Sequence, residues 1–211
     1  MWPVWRPRFL YACLFMKRIA LTGGIACGKS ALAGFLAARG CEMLDTDGVT
    51  HALEAPGGRA VAPIVAAFGT VVRGPEGGID RQRLGEVVFQ DEAARLRLNG
   101  IVHPLIRAEL EAWLRQPGGC PKVAVIPLLF EVGWDTGWDA IICVACAAAE
   151  QLRRLQTRGL SVEAALARVA AQMPLDEKVR RSTHVVWNDG DREELRRAAD
   201  RLMDEWSGNK R

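Results

Sequence analysis

An apolar run that ends in a glycine-rich turn and passes directly into a helical pattern leaves a chain few folds to choose from. Arg18-Ile19-Ala20-Leu21-Thr22 reads as a short buried strand, and Ala31 to Ala37 continues beyond the turn with helical periodicity. Between them Gly23, Gly24, Ile25, Ala26, Cys27, Gly28, Lys29 and Ser30 match the spacing G-x-x-x-x-G-K-[ST], the mark of a phosphate cradle. The glycines let successive N–H groups wrap an anion at the positive end of the following helix. Lys29 adds a mobile cation for the outer phosphates of a nucleotide, and the hydroxyl of Ser30 suits a Mg²⁺ ion held mainly by phosphate oxygens. The bland alternative, a glycine-rich turn with an exposed lysine, is disfavoured because the full motif sits between a strand and a helix.

Apolar segments at about 17–22, 41–45, 122–126, 139–145 and 184–187 alternate with helical patterns. That alternation predicts an α/β chain with a three-layer P-loop nucleotide-binding fold and about five parallel strands. The gap between the second and third segments is too long for a simple crossover. Helical patterns near 48–54, 58–68, 81–89 and 92–115 fill it, so a helical insertion is expected at about 48–119 within a kinase domain spanning 16–211. A second helical stretch, about 148–182, reads as a mobile lid. Pro104 offers no N–H to the carbonyl of Gly100, which predicts a break or kink after His103.

A net charge of +3, with basic residues scattered among acidic ones, gives no reason to expect a nucleic-acid partner. The six cysteines form no spaced framework, which suits reduced thiols and a cytoplasmic setting. Cys143 and Cys146 have C-x-x-C spacing but lie in an apolar run, so core packing is favoured over metal or redox chemistry. Residues 1–15 read as an extension, with Met16 the expected natural start. The eight-residue apolar run from Phe9 to Met16 superficially resembles a signal peptide, but it lacks a small-residue cleavage site and is too short to span a bilayer. No membrane association is expected, and a monomer or small homo-oligomer is.

Asp45 and Asp47 close the second strand segment, where the carboxyl ends of an open α/β sheet face the ligand. Strand alternation predicts both carboxylates on one side, with Asp47 the first candidate base and Asp45 the second. Leu128 and Glu131 follow the third strand. Leu128 is expected to line a pocket, and Glu131 to bind metal indirectly, organise the insertion or simply start a helix. His103 and Arg107 stand four apart on the longest helical pattern. Gln151, Arg154 and Arg158 stand three and seven positions apart, on one helical stripe from which Arg153 is excluded. Two guanidiniums there can close over a triphosphate; a solvated basic face is the alternative.

Taken in order, these landmarks resemble the dephospho-CoA kinase family from about Lys17 to the C-terminal helix. The likeness rests on Leu21-Thr22-Gly23-Gly24-Ile25 with Gly28-Lys29-Ser30, Asp45-Thr46-Asp47, Arg81 with Leu84 and Phe89, and Asn99 with His103-Pro104-Leu105-Ile106. It continues through Pro127-Leu128-Leu129-Phe130-Glu131, Gln151 with Arg154 and Arg158, Gln172, and Asn188-Asp189-Gly190. The resemblance implies transfer of the ATP γ-phosphate to the ribose 3′-hydroxyl of dephospho-CoA. It implies Asp47 as base, Lys29 and Arg154 in catalysis, Arg81 and His103 on the acceptor side with Arg107 nearby, Arg154 and Arg158 in the lid, and Asn188 near the adenine. Three features depart from the family pattern: Ala26-Cys27 replaces a usual Gly-Ser pair, Ser182-Thr183 replaces a usual Ala-Asp pair, and the extension before Met16 has no counterpart. Another P-loop kinase of nucleosides or nucleotides is the competing reading. A nucleotide-gated binding module is disfavoured by the insertion and the lid.

Overall fold

The computed structural model describes residues 17–89 and 91–206; the expected extension 1–15 lies outside them. Five strands, β1 (Arg18–Gly23), β2 (Glu42–Asp45), β3 (Lys122–Val125), β4 (Ala140–Ala145) and β5 (His184–Trp187), form one sheet in the order β2-β3-β1-β4-β5. β1 pairs in parallel with β3 and β4, and β4 with β5. This is the α/β layout expected from the apolar segments. The central strands are apolar on both faces because helices cover both: all six residues of β4 are buried, as are Ile19, Ala20 and Leu21 of β1.

Helices α1 (Lys29–Ala38) and α9 (Arg192–Trp206) belong to that core. Leu32 and Leu36, one helical turn apart on α1, join Leu195, Ala199 and Leu202 of α9 and the β1, β3 and β4 side chains. Each such leucine contributes about 1.5–3 kcal/mol by leaving water. Cys143 and Cys146 are buried in the same strand region, as core packing requires.

The chain divides into two compact units: Leu44–Gln116, and the described residues on either side of it. The first unit holds α2 (Thr46–Glu54), α3 (Val61–Phe68), α4 (Arg81–Phe89) and α5 (Glu92–Arg115). Its glycine cluster at 74–78 is a tight reversal, in which the Gly74 N–H donates to the Gly78 carbonyl at 2.8 Å. The second unit holds the sheet apart from the end of β2 and, between β4 and β5, α6 (Ala148–Thr157), α7 (Val162–Ala170) and α8 (Leu175–Arg181).

Of the break or kink expected after His103, the break does not occur: α5 runs as one helix through Pro104. Ala94, Val102, Ile106 and Leu110 are buried along it, and it packs on α2, α3 and α4. Apolar contact on both sides of the proline outweighs the ~3 kcal/mol cost of one lost main-chain bond and a crowded turn. The Asp91 carboxylate accepts from the N–H groups of Ala93 and Ala94 and fixes the start. Among the described residues no helix is long and apolar enough to cross a membrane.

Candidate active site

β1 delivers the chain to Gly23, and α1 begins at Lys29 with Gly28 as its N-cap. Gly28 has φ 105°, and a Cβ there would stand 2.1 Å from Asn188 Nδ2, so only glycine fits. Ala26 holds φ 59°, a left-handed conformation that L residues adopt at a cost. Among the described residues no acceptor takes the N–H of Gly28 or Ser30. These donors at a helix start are what an anion needs. Lys29 Nζ donates to the carbonyls of Gly23 and Gly24, both at 2.9 Å, which parks the cation on the loop. Ser30 is exposed at the first turn of α1.

Side chains from beyond β4 grip the outside of this loop. Arg154 lies 3.3 Å from the Cys27 carbonyl and 2.7 Å from that of Asn188, and Glu150 holds its Nε at 2.7 Å. Hydrogen bonds from Arg153 first, and from Arg154 after it, pull the Glu150 carboxyl down to about 2. Asn188, just past β5, donates Nδ2 to the Cys27 carbonyl at 2.8 Å. Its amide therefore shapes the loop. α6 ends at Thr157, with Arg158 as its C-cap. Its side chain is exposed, with no hydrogen bond to another described residue.

Cys27 lies wholly inside, its Sγ 3.5 Å from Cys146 Sγ. The hydrogen bond from the Cys146 thiol, with Lys29 and Arg154 as positive neighbours, outweighs burial and lowers the Cys27 thiol to about 7. Glu131, after β3, accepts from Lys178 Nζ at 2.7 Å and from the Met173 N–H at 3.0 Å. Lys178 is fully buried and also donates to the Pro127 carbonyl at 3.0 Å. Glu131 thus organises the α7–α8 segment, where organisation of the insertion was one expectation. Leu128 is exposed.

Within Leu44–Gln116 the two aspartates do not alternate along a strand. β2 ends at Asp45, whose carboxylate accepts from the Asp47 N–H at 3.0 Å and caps α2. The capture of that N–H turns the chain helical at Thr46, two residues before the expected start. Asp47 then stands in the first turn of α2. Arg81 reaches Glu54 Oε2 at 3.1 Å through Nε and His51 Nδ1 at 2.9 Å through Nη1. Burial raises the Glu54 carboxyl, with Arg81 opposing. These three residues and Asp80 line a cavity of about 390 Å³. His103 is half-buried on α5, and burial lowers its imidazole. Arg107 is exposed and pairs with Glu111 at 3.0 Å.

The family model for dephospho-CoA kinase matches residues 17–194. A dephospho-CoA kinase from Symbiobacterium thermophilum is 44% identical over 181 residues, 83% of this chain and 75% of that protein. One from Geobacillus kaustophilus is 43% identical over 193 residues, 89% of this chain and 96% of that protein. The chain belongs to the dephospho-CoA kinase family. A solved dephospho-CoA kinase from Campylobacter jejuni covers 92% of this chain and 98% of its own, with a TM-score of 0.70 at 26% identity.

A dephospho-CoA kinase acts on a small molecule and, as a kinase, uses a phosphoryl donor with a divalent ion. The donors at Gly28 and Ser30 fit a polyphosphate. Among the described residues no group of three or more His, Cys, Asp or Glu could hold a metal. Sequence reasoning for this kinase did not single out Glu54, His51, Glu150 or Lys178. His51 and Glu54 lie three apart on α2, a spacing too common to mark a site before Arg81 is placed beside them. Glu150 lies four before Arg154, and that i,i+4 offset was a usable signal.

Proposed function

We propose that this chain transfers the γ-phosphate of ATP, bound with Mg²⁺, to the ribose 3′-hydroxyl of dephospho-CoA, giving CoA and ADP in the cytoplasm. The reading is carried by the helix-start amide cradle of a chain whose family match runs from Lys17 to Glu194. Within the loop from Gly23 to Ser30 the Gly28 and Ser30 amides hold the β- and γ-phosphates, and Lys29 exchanges its two carbonyl partners for phosphate oxygens. Ser30 supplies one ligand to the divalent ion, which neutralises charge on the phosphates. Arg154 places positive charge where the γ-phosphoryl moves, Arg158 adds a second guanidinium from the lid, and Asn188 keeps the Cys27 carbonyl turned away from the nucleotide. Asp47 receives the proton of the acceptor hydroxyl as its oxygen bonds to phosphorus and the bond to the β-phosphate oxygen breaks. Asp45 sets the turn that presents Asp47. Arg81, His103 and Arg107 are the acceptor residues of the helical unit, with Arg81 held ready by Glu54; Leu128 and Glu131 are those of the sheet unit.

Positioning supplies most of the acceleration and the base about 10²–10⁴-fold. Asp47→Asn therefore lowers kcat by about that factor while ATP affinity, measured by calorimetry, stays within about twofold. Unchanged turnover removes Asp47 from the role.

A further inference from the structure

Both main-chain polar groups of Ile25 are taken by side chains of the helical stretch between β4 and β5. Its N–H donates to Gln172 Oε1 at 2.9 Å, and its carbonyl accepts from Gln151 Nε2 at 2.7 Å. Gln151 is 5% exposed on α6, and Gln172 follows α7. The fit is close: a Cβ on Gly24 would stand 2.9 Å from Gln151 Nε2. Gln172 is itself located by its neighbour, since the Met173 N–H donates to Glu131 and Glu131 pairs with buried Lys178. The Ile25 side chain packs with Leu152, Leu160 and Val169 around buried Ala26, Leu155 and Ala165.

From this we infer that Gln151 and Gln172 are positioning residues for phosphoryl transfer, fixing the shape of the phosphate loop from the lid helices through two hydrogen bonds of opposite polarity. The inference rests on the kinase reading above. Neither glutamine reaches phosphate in its role. With Ile25 gripped at both ends, the chain enters Ala26 at the left-handed φ of 59°, and the turn from there leads to the Gly28 and Ser30 amides at the start of α1. A loop freed at Ile25 relaxes toward ordinary φ values, and the amides diverge. Preorganised donors of this kind lose effect when their supporting contacts are removed.

The opposite polarity makes the inference testable with conservative changes. A glutamate at 172 still accepts from the Ile25 N–H, whereas a glutamate at 151 has no proton for the Ile25 carbonyl. Both add one negative charge beside Ile25, but Gln151 is buried and Gln172 only partly so; each glutamate variant is therefore read against the methionine variant at its own position, and both are assayed at a pH where the carboxyl is ionised. Steady-state kinetics with ATP and dephospho-CoA at about 0.5 M salt, where the Debye length is about 4 Å, compare wild type with Gln→Met and Gln→Glu at each position. The expected result is a ~10-fold rise in KM for ATP in both methionine variants, with KM for dephospho-CoA within twofold. Gln172→Glu returns to within about threefold of wild type, and Gln151→Glu falls below Gln151→Met. Equal behaviour of the two glutamate variants overturns the inference, as does an unchanged KM for ATP in Gln172→Met. The Gln172 variants decide alone where thermal unfolding shows the Gln151 variants to be unfolded. Amide exchange at Ile25 in the nucleotide-free protein reads the clamp apart from activity: Gln172→Met accelerates it at least tenfold and Gln172→Glu does not. A wild type inactive on dephospho-CoA with slow Ile25 exchange refutes the kinase reading, and an active wild type with exchange unaltered by Gln172→Met refutes the clamp.

Discussion

Ala26 holds a left-handed φ of 59° inside the phosphate loop, and its neighbour Cys27 lies against Cys146, from a segment more than a hundred residues away. A β-branched side chain is poorly tolerated at positive φ. Ala26→Val is expected to lower stability by about 2 kcal/mol in denaturant titration, while Ala26→Gly, which relieves strain but loses a buried methyl, stays within about 1 kcal/mol. Cys27 gives a pH signature. Its thiol is lowered from 9.0 to about 7 in the fold, so the folded state binds fewer protons between those values and gains stability as pH rises through them. Relative to Cys27→Ser, the wild type is expected to gain melting temperature from about pH 7 to 9 and to lose that advantage below 7. A constant gap across the range contradicts the assignment.

Among the elements, local pattern gave type well and continuity poorly. The expected helix at 92–115 is present with those limits, and it runs on through Pro104 where the local pattern allows a break, because the compensation comes from tertiary packing. Strand alternation misassigned Asp45 and Asp47 because one carboxylate–amide bond starts α2 early. The departure at Thr183 has a structural account: its hydroxyl accepts from the Ile141 N–H at 2.8 Å and donates to the Ile141 carbonyl at 3.0 Å, tying the entry of β5 to β4. Buried charge is the least legible feature at this scale. Nothing around Lys178 in the sequence announces a fully buried ammonium, and its partner Glu131 lies in another segment. Removing one member of such a pair strands the other. Lys178→Met is expected to cost about 2–4 kcal/mol in chemical unfolding, with part recovered when Glu131→Gln is added. A double variant no better than the single one refutes the coupling.

For the molecule as a whole, five strands and their α/β class were readable from apolar runs, whereas the order β2-β3-β1-β4-β5 was not, since strand neighbours are set by packing between distant segments. The substrate was legible only through the ordered set of landmarks. A phosphate cradle alone serves many kinases, and the acceptor hydroxyl distinguishes them. The decisive measurement is phosphoryl transfer from Mg·ATP across a panel of hydroxyl acceptors containing dephospho-CoA, adenosine and nucleoside monophosphates. Turnover of dephospho-CoA to a product carrying a new 3′-phosphate, exceeding every other acceptor by at least about a hundredfold in kcat/KM, is the predicted result. Strong turnover of adenosine or a nucleoside monophosphate with none of dephospho-CoA would contradict it.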